Sequence, residues 1–449
     1  MTVFKVQEVI DAQPIRPIHL RILAICVFIM FIDGLDIFLV GKIAPAIVQD
    51  MGETSAAMTL VFLFQQIGLA VGAFTATPLA DRFGRRRLLI LCSCVFGVLT
   101  FLTGFATTIW QLALLRGASG LFLSGGLPIA VSLLSELTPQ RRRGTFIAIS
   151  FAGYSLGGAA GGAIAAWVID IHGWQSGFWI GGVLPLLSIP LMIFCLPESL
   201  PFLVLRNPRD PRIPATIRRL APDVRLTGDE IFQTSAGTAT LQQTRLLDIF
   251  RAGRARNTTI LWIACVLSMG NIALMAAWLP TFFHDMAGIP IQRFAVFAMI
   301  AFLGGLAGTF MMGWLLDRIR ASRLIPAFYL MLGGVIMLLG VVPFEARLFV
   351  VVLMAFNFFQ TGGQTGLNTM MTKVYPTSMR ATGLGWAGGA GRIGGILLPV
   401  MGGLAVSAHL SLQQTMAIIG VMPVIVACAV LFLRDPSTGA DAPDQQSSA

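Results

Sequence analysis

The sequence predicts an all-α membrane protein in which twelve transmembrane helices form two six-helix halves. Three observations predict it. Of 449 residues, 56% are hydrophobic and only 12% are charged, with a mean hydropathy of +0.80; an ordinary soluble domain carries about 25% charged residues. The apolar residues come in long blocks rather than in alternation, and blocks of about 20 apolar residues cross lipid as helices, because a helix satisfies its own backbone polar groups. The third observation is an internal repeat, described below.

Residues 1–18 are polar and mixed and are expected to form a cytoplasmic N-terminal segment. The first apolar block is too long for a signal h-region, so it is expected to be retained as a membrane helix. Helices are predicted at 19–41, 57–80, 88–107, 109–137, 145–169 and 176–197, the first half (19–197). A polar connector, residues 198–256, follows with ten arginines. Pro208, Pro211, Pro214 and Pro222 keep it from forming one long helix. The second half (257–433) is predicted to hold helices at 257–284, 291–316, 323–343, 347–373, 380–407 and 412–433. The tail, 434–449, is rich in Ser, Asp, Pro and Gln and is expected to be disordered and cytoplasmic.

Charge placement orients the chain. With both termini cytoplasmic, the inner side takes Lys5, Arg16, Arg21, Arg82, Arg85 to Arg87, Arg141 to Arg143, the connector arginines, Arg318, Arg320, Arg323, Lys373, Arg380 and Arg434. The outer side is left with Lys42, Arg293 and Arg347. This is the positive-inside bias, and the same placement argues against nucleic acid as the partner of the net charge of +10. Cys26, Cys92, Cys94, Cys195, Cys265 and Cys428 all lie in apolar blocks and read as reduced packing residues. His19, His172, His284 and His409 fall near helix ends without metal-ligand spacing. Glycine-rich runs such as "GYSLGGAAGG" follow no strand, so a nucleotide fingerprint is excluded; they read as helix-packing surfaces.

The halves repeat. Gly72, Asp81 and Arg82 correspond to Gly308, Asp317 and Arg318, each pair 236 residues apart. "PQRRRGTFIAISFAGYSLGGAAGG" from Pro139 aligns with "PTSMRATGLGWAGGAGRIGGILLP" from Pro376, 237 residues on. Two same-direction six-helix halves are a parallel transporter repeat.

"PLADRFGRRR" (Pro78 to Arg87) resembles the signature loop of the major facilitator superfamily. In that family the loop clamps helices and gates conformational change, which implies gating roles for Asp81, Arg82, Gly84 and Arg85 and, in the second half, Asp317 and Arg318. "LPESLPFLV" (Leu196 to Val204) resembles a further family motif but lacks its usual Arg after Pro. "FIDGLDIFLVGKIAPAI" (Phe31 to Ile47) carries the Asp-Gly-x-Asp of the aromatic acid:proton symporter family. "LLSELTP" (Leu133 to Pro139) and "YPTSMRATGLGWAGGAGRIGG" (Tyr375 to Gly395) are similar to the same family, most of all to its 4-hydroxybenzoate/protocatechuate transporters. The resemblance runs from Gln13 to Arg434. It implies transport of a small aromatic acid, with the proton gradient in place of a cofactor.

Ionisable groups inside a bilayer are costly and need a reason. Asp33 and Asp36 are i, i+3 neighbours on one helix face near mid-bilayer, a pairing suited to carrying a proton; a structural polar pair is the alternative. Arg392, near the middle of the eleventh helix, stays charged and requires an anion. That anion is either a substrate carboxylate, which a guanidinium matches fork to fork, or Asp33 or Asp36. Gly388, Gly389, Gly391, Gly394 and Gly395 around it leave room for a ring. The family resemblance implies roles for Arg116 in substrate attraction and for Glu136 in gating or proton coupling; from spacing alone, Glu136 can equally pair with Arg141 to Arg143 or cap the eleventh helix. The tenth helix carries Asn357 and a polar stripe of Gln360, Gln364 and Asn368, with Phe356, Phe358 and Phe359 beside it. Such a stripe can bind a substrate hydroxyl or tie helices together.

The leading expectation is therefore import of a small aromatic carboxylate with protons by a monomer in a bacterial inner membrane. Export of drugs or organic acids by proton antiport is the alternative, weakened because Gly158 stands where the antiporter motif has Pro. The sequence holds no nucleophile–base pair, no metal set and no attached soluble domain, so an enzyme is not expected.

Overall fold

The computed structural model describes residues 3–224, 231–233, 250, 255–344, 347–375 and 380–433. The tail, connector residues 225–230, 234–249 and 251–254, and the side chains of Asp81, Lys373 and Arg380 lie outside the described set. Twelve helices are long and apolar enough to cross a membrane. They are α1 (Pro17–Met51), α2 (Met58–Phe83), α3 (Arg85–Thr103), α4 (Ile109–Leu137), α5 (Gln140–Trp167) and α6 (Gln175–Cys195), then α7 (Ala255–Ala287), α8 (Ile291–Leu316), α9 (Ala321–Leu339), α10 (Arg347–Val374), α11 (Arg380–Ser407) and α12 (Leu412–Leu431).

The ends of α1 explain its length. Pro17 opens it at the first helical position, and the Arg16 backbone N–H donates to His19 Nδ1 at 3.1 Å. It closes on Gly52, whose φ of 66° gives the left-handed cap that glycine adopts without strain. The helix thus runs past the expected stop at Gly41. Lys42, expected on the outer side, lies instead inside the helix and is buried. A lone lysine reads as the edge of an apolar block when charge alone is counted, but helix packing covers this one.

Small residues set how the helices pair. An added Cβ at Gly157 would lie 1.9 Å from the Phe31 carbonyl, so α5 meets α1 backbone to backbone. Gly68 and Gly182 do the same for α2 with α4 and α3 with α6. In the other half Gly394 brings α11 onto α7, Gly308 brings α8 onto α10, and Gly333 brings α9 onto α12. The pairing order is the same in both halves, as the repeat requires. Close approach of this kind drives association where lipid removes any hydrophobic force between helices.

The chain folds into two compact units. One comprises Met1–Gln242, Leu274–Phe302 and Pro399–Leu412; the other comprises Gln243–Ala273, Leu303–Leu398 and Gln413–Ala449. Within the first unit, parts of α7, α8 and α11 pack on α1, α2 and α5. Gly41 faces the Ala276 carbonyl, Phe62 and Trp278 meet edge to face at 5.3 Å, and Gly403 abuts Thr59.

The connector is more than a link. Two short helices, Leu200–Arg206 and Arg212–Leu220, break as its prolines dictate. Ile213, Ile217 and Leu220 bury one face of the second in an apolar core with Val6, Ile10, Ile22 and Leu133. Val3–Lys5 and Ile231–Gln233 add a two-stranded parallel sheet, a small β element beside the all-α bundle. All six cysteines are free thiols.

Candidate functional site

Asp36 in α1 and Arg116 in α4 form the central ion pair of the first unit. Arg116 Nη1 donates to Asp36 Oδ1 at 2.8 Å and Nη2 to Oδ2 at 2.5 Å. The guanidinium is fully buried and lies 5.5 Å from the centre of the Phe178 ring in α6. Bidentate geometry with a cation–π face compensates two charges that would be very costly alone. Asp36 is therefore partnered by Arg116, a pairing that helix spacing does not encode.

Asp33 is 5% exposed. It opens on a cavity of about 20 Å³ lined by Cys92, Ser93, Phe96, Phe122 and Gly126 among others. That is room for about one water molecule. Both aspartates face α4, as their i, i+3 spacing allows, but Asp36 meets the Arg116 guanidinium whereas Asp33 borders the cavity.

Arg392 lies half-buried in α11 and makes no hydrogen bond or ion pair with the described residues. Its glycine surroundings are less open than expected. Gly391 abuts Met269 and Gly394 abuts the Val266 backbone, both on α7, whereas Gly388 faces open space.

The polar stripe of α10 is largely engaged by neighbouring helices. Asn271 Nδ2 on α7 donates to Gln360 Oε1 at 2.7 Å. Ser268 Oγ donates to Gln364 Oε1 at 2.7 Å and shares a hydrogen bond with the Tyr329 hydroxyl, while Gln364 Nε2 reaches Asn368 at 2.9 Å. Asn357 turns back to the Leu353 carbonyl, and Phe356 is buried. At the Asn271–Gln360 contact, two buried atoms, Gln360 Nε2 and Asn271 Oδ1, have no partner among the described residues.

The signature loop is clamped. Gly84, with φ 99°, allows the turn from α2 to α3, and an added Cβ would lie 2.7 Å from Glu198 Oε2. Arg85 pairs with Glu136 and donates to Ser132. Glu136 also accepts from Ser199 Oγ at 2.7 Å, and Glu198 Oε1 accepts from the Arg86 backbone N–H at 2.9 Å. Glu136 is thus held by Arg85 and Ser199, not by Arg141 to Arg143; Arg141 donates to the Gln13 carbonyl and Arg143 pairs with Asp11. Arg82 lies over Phe83. The second-half counterpart is looser: Arg318 stacks 3.7 Å over Trp314, and Asp317 is exposed.

A sequence model of the Major Facilitator Superfamily matches residues 26–399. The gallate transporter of Pseudomonas putida is 35% identical over 426 residues, 95% of this chain and 94% of that protein. The 4-hydroxybenzoate transporter PcaK of Pseudomonas aeruginosa is 32% identical and covers 97% of each chain. The chain belongs to the major facilitator superfamily and, within it, to the aromatic acid transporter family. Solved structures agree on the fold: a bacterial homologue of the human lysosomal transporter Spinster, inward-facing and unoccupied, superposes with a TM-score of 0.68 over 93% of this chain and 97% of that one at 16% identity. The nucleoside transporter NupG gives 0.69 over 92% and 99% at 15% identity. As a member of a transporter family, the protein is not an enzyme.

Two parts of this transporter are weakly marked in the sequence. Glu198 and Ser199 bind the Arg86 backbone N–H and Glu136; the acidic residue after Pro197 in "LPESLPFLV" is the sequence signal for this clamp. Lys42, expected on the outer side, lies within α1, and the apolar run "IAPAIV" after it is the signal that the helix continues.

Proposed function

We propose that this protein is a proton-coupled importer of small aromatic carboxylates, working by alternating access in a bacterial inner membrane with both termini cytoplasmic. The observation that carries this proposal is the contrast between the two aspartates of α1. Asp36 has its charge matched by a bidentate arginine, so it serves as a fixed joint between α1 and α4. Asp33 borders a cavity with room for about one water molecule, which can exchange a proton with its carboxylate. Asp33 is thus the proton carrier.

Substrate recognition follows from the groups left over. Arg392, without a protein anion among the described residues, offers a fork to a benzoate-type carboxylate. Gln360 Nε2 and Asn271 Oδ1 present one donor and one acceptor, which a phenolic hydroxyl can satisfy together because it both donates and accepts. The named relatives, transporters of gallate and of 4-hydroxybenzoate, support an acid that carries ring hydroxyls. The arginine-rich loops support the orientation.

The test is uptake of labelled 4-hydroxybenzoate and gallate by cells expressing the chain. Accumulation is expected to vanish with an uncoupler. Asp33→Asn is expected to abolish accumulation while keeping exchange of internal for external substrate. Accumulation that persists without a proton gradient sinks the coupling.

A further inference from the structure

Lys42 is the one lysine placed deep in α1, and its surroundings do not account for its charge. It is 4% exposed. Its Nζ donates to the Gly158 carbonyl of α5 at 2.5 Å and lies 5.1 Å from the centre of the Phe302 ring of α8. No carboxylate pairs with it among the described residues. An ammonium has three donors, and a buried cation held by one carbonyl and one ring face lacks the anion that normally offsets its desolvation.

The neighbouring groups fit an aromatic acid. Phe38 packs edge to face on Tyr154 at 5.7 Å and on Phe302 at 5.1 Å. All three rings are only half-buried, although the ammonium beside them is covered. Gly158 and Gly162 keep α5 free of side chains there; a Cβ on Gly158 would meet the Phe302 and Phe38 rings, and one on Gly162 would lie 3.5 Å from Lys42 Nζ. Every part belongs to the first compact unit.

We propose that Lys42, with Phe38, Tyr154 and Phe302, forms a second carboxylate-binding subsite for the transported aromatic acid, distinct from Arg392. The ammonium takes the carboxylate and the half-open rings take the aromatic face. This rests on the aromatic-acid reading above. On binding, Nζ exchanges the Gly158 carbonyl for the substrate carboxylate, which loosens a tie between α1 and α5. A neutral ring lacks the charge to make that exchange, so the subsite discriminates acids from their amides.

Binding of 4-hydroxybenzoate and of 4-hydroxybenzamide to the purified full-length protein, by calorimetry in detergent, tests this without any gradient. Wild type is expected to prefer the acid. In an Arg392→Ala background, where Lys42 alone can take the carboxylate, Lys42→Met is expected to weaken the acid 10- to 100-fold and the amide less than threefold, and Lys42→Arg to retain most of the preference. Phe302→Leu, which keeps the lysine, is expected to weaken both ligands alike, and it decides the matter if Lys42→Met does not fold. Unchanged acid affinity in that background in folded Lys42→Met, or in Phe302→Leu, overturns the subsite while leaving the transporter reading intact. A wild type that binds neither ligand overturns both.

Discussion

The Asp36–Arg116 pair places two opposite charges deep between α1 and α4. Both groups are essentially inaccessible and share two parallel hydrogen bonds, while Arg116 Nε has no hydrogen-bond partner among the described residues. Removing either alone leaves an uncompensated buried charge, at a cost of roughly 3–5 kcal/mol. Arg116→Met and Asp36→Asn are therefore each expected to lower the thermal unfolding temperature of the purified protein sharply, because each strands its partner's buried charge. The double variant Asp36→Asn with Arg116→Met should be more stable than Arg116→Met alone. Thermal unfolding of the four proteins gives the coupling; additive losses would show that the pair does not act as a unit. The depth of Asp36 was legible in its sequence position. Its partner was not, since Arg116 is 80 residues away and nothing in the periodicity of either helix names the other.

At the scale of elements, most of the architecture was legible and its margins were not. Apolar blocks located all twelve helices because lipid leaves the backbone no other solution. The end of α1 was misplaced because a lysine reads as a boundary when charge is counted without packing. The connector helices were missed because its prolines announce breaks, whereas the Ile213, Ile217 and Leu220 face that docks one of them is short. The glycines of α5 read as packing surfaces, and their contacts make the role specific. Gly157 faces the Phe31 carbonyl, whereas Gly144, on the same helix, has nothing near it. Gly157→Ala is expected to force α5 away from α1, with a lower unfolding temperature and lost uptake. Gly144→Ala is expected to be neutral or to stabilise by about 0.5–1 kcal/mol through helix propensity. Unfolding temperatures that fall equally in both would show that helix geometry, rather than close approach, explains the glycines.

For the whole molecule, the decisive question is which contacts must break during transport. Alternating access requires a seam that is closed in one state and open in the other. The described structure holds such a seam within its first unit, where Gly41 meets Ala276, Phe62 meets Trp278 and Thr59 meets Gly403 across helices from the two repeats. The added Cβ at Gly403 lies 3.1 Å from the Thr59 Cβ, a separation that needs only a small outward shift to reach the 3.5–4.5 Å spanned by a disulfide. Thr59→Cys with Gly403→Cys is therefore expected to cross-link under mild oxidation. If the seam must open to admit substrate, the oxidised protein should stop taking up aromatic acid and recover on reduction, and each single cysteine variant should be insensitive to oxidant. Binding in detergent should survive the cross-link, because the tie fixes one state without removing Lys42, Arg392 or the α10 amides. A cross-linked protein that transports at the wild-type rate would mean that the two repeats do not separate at this seam, and substrate would have to enter by another route.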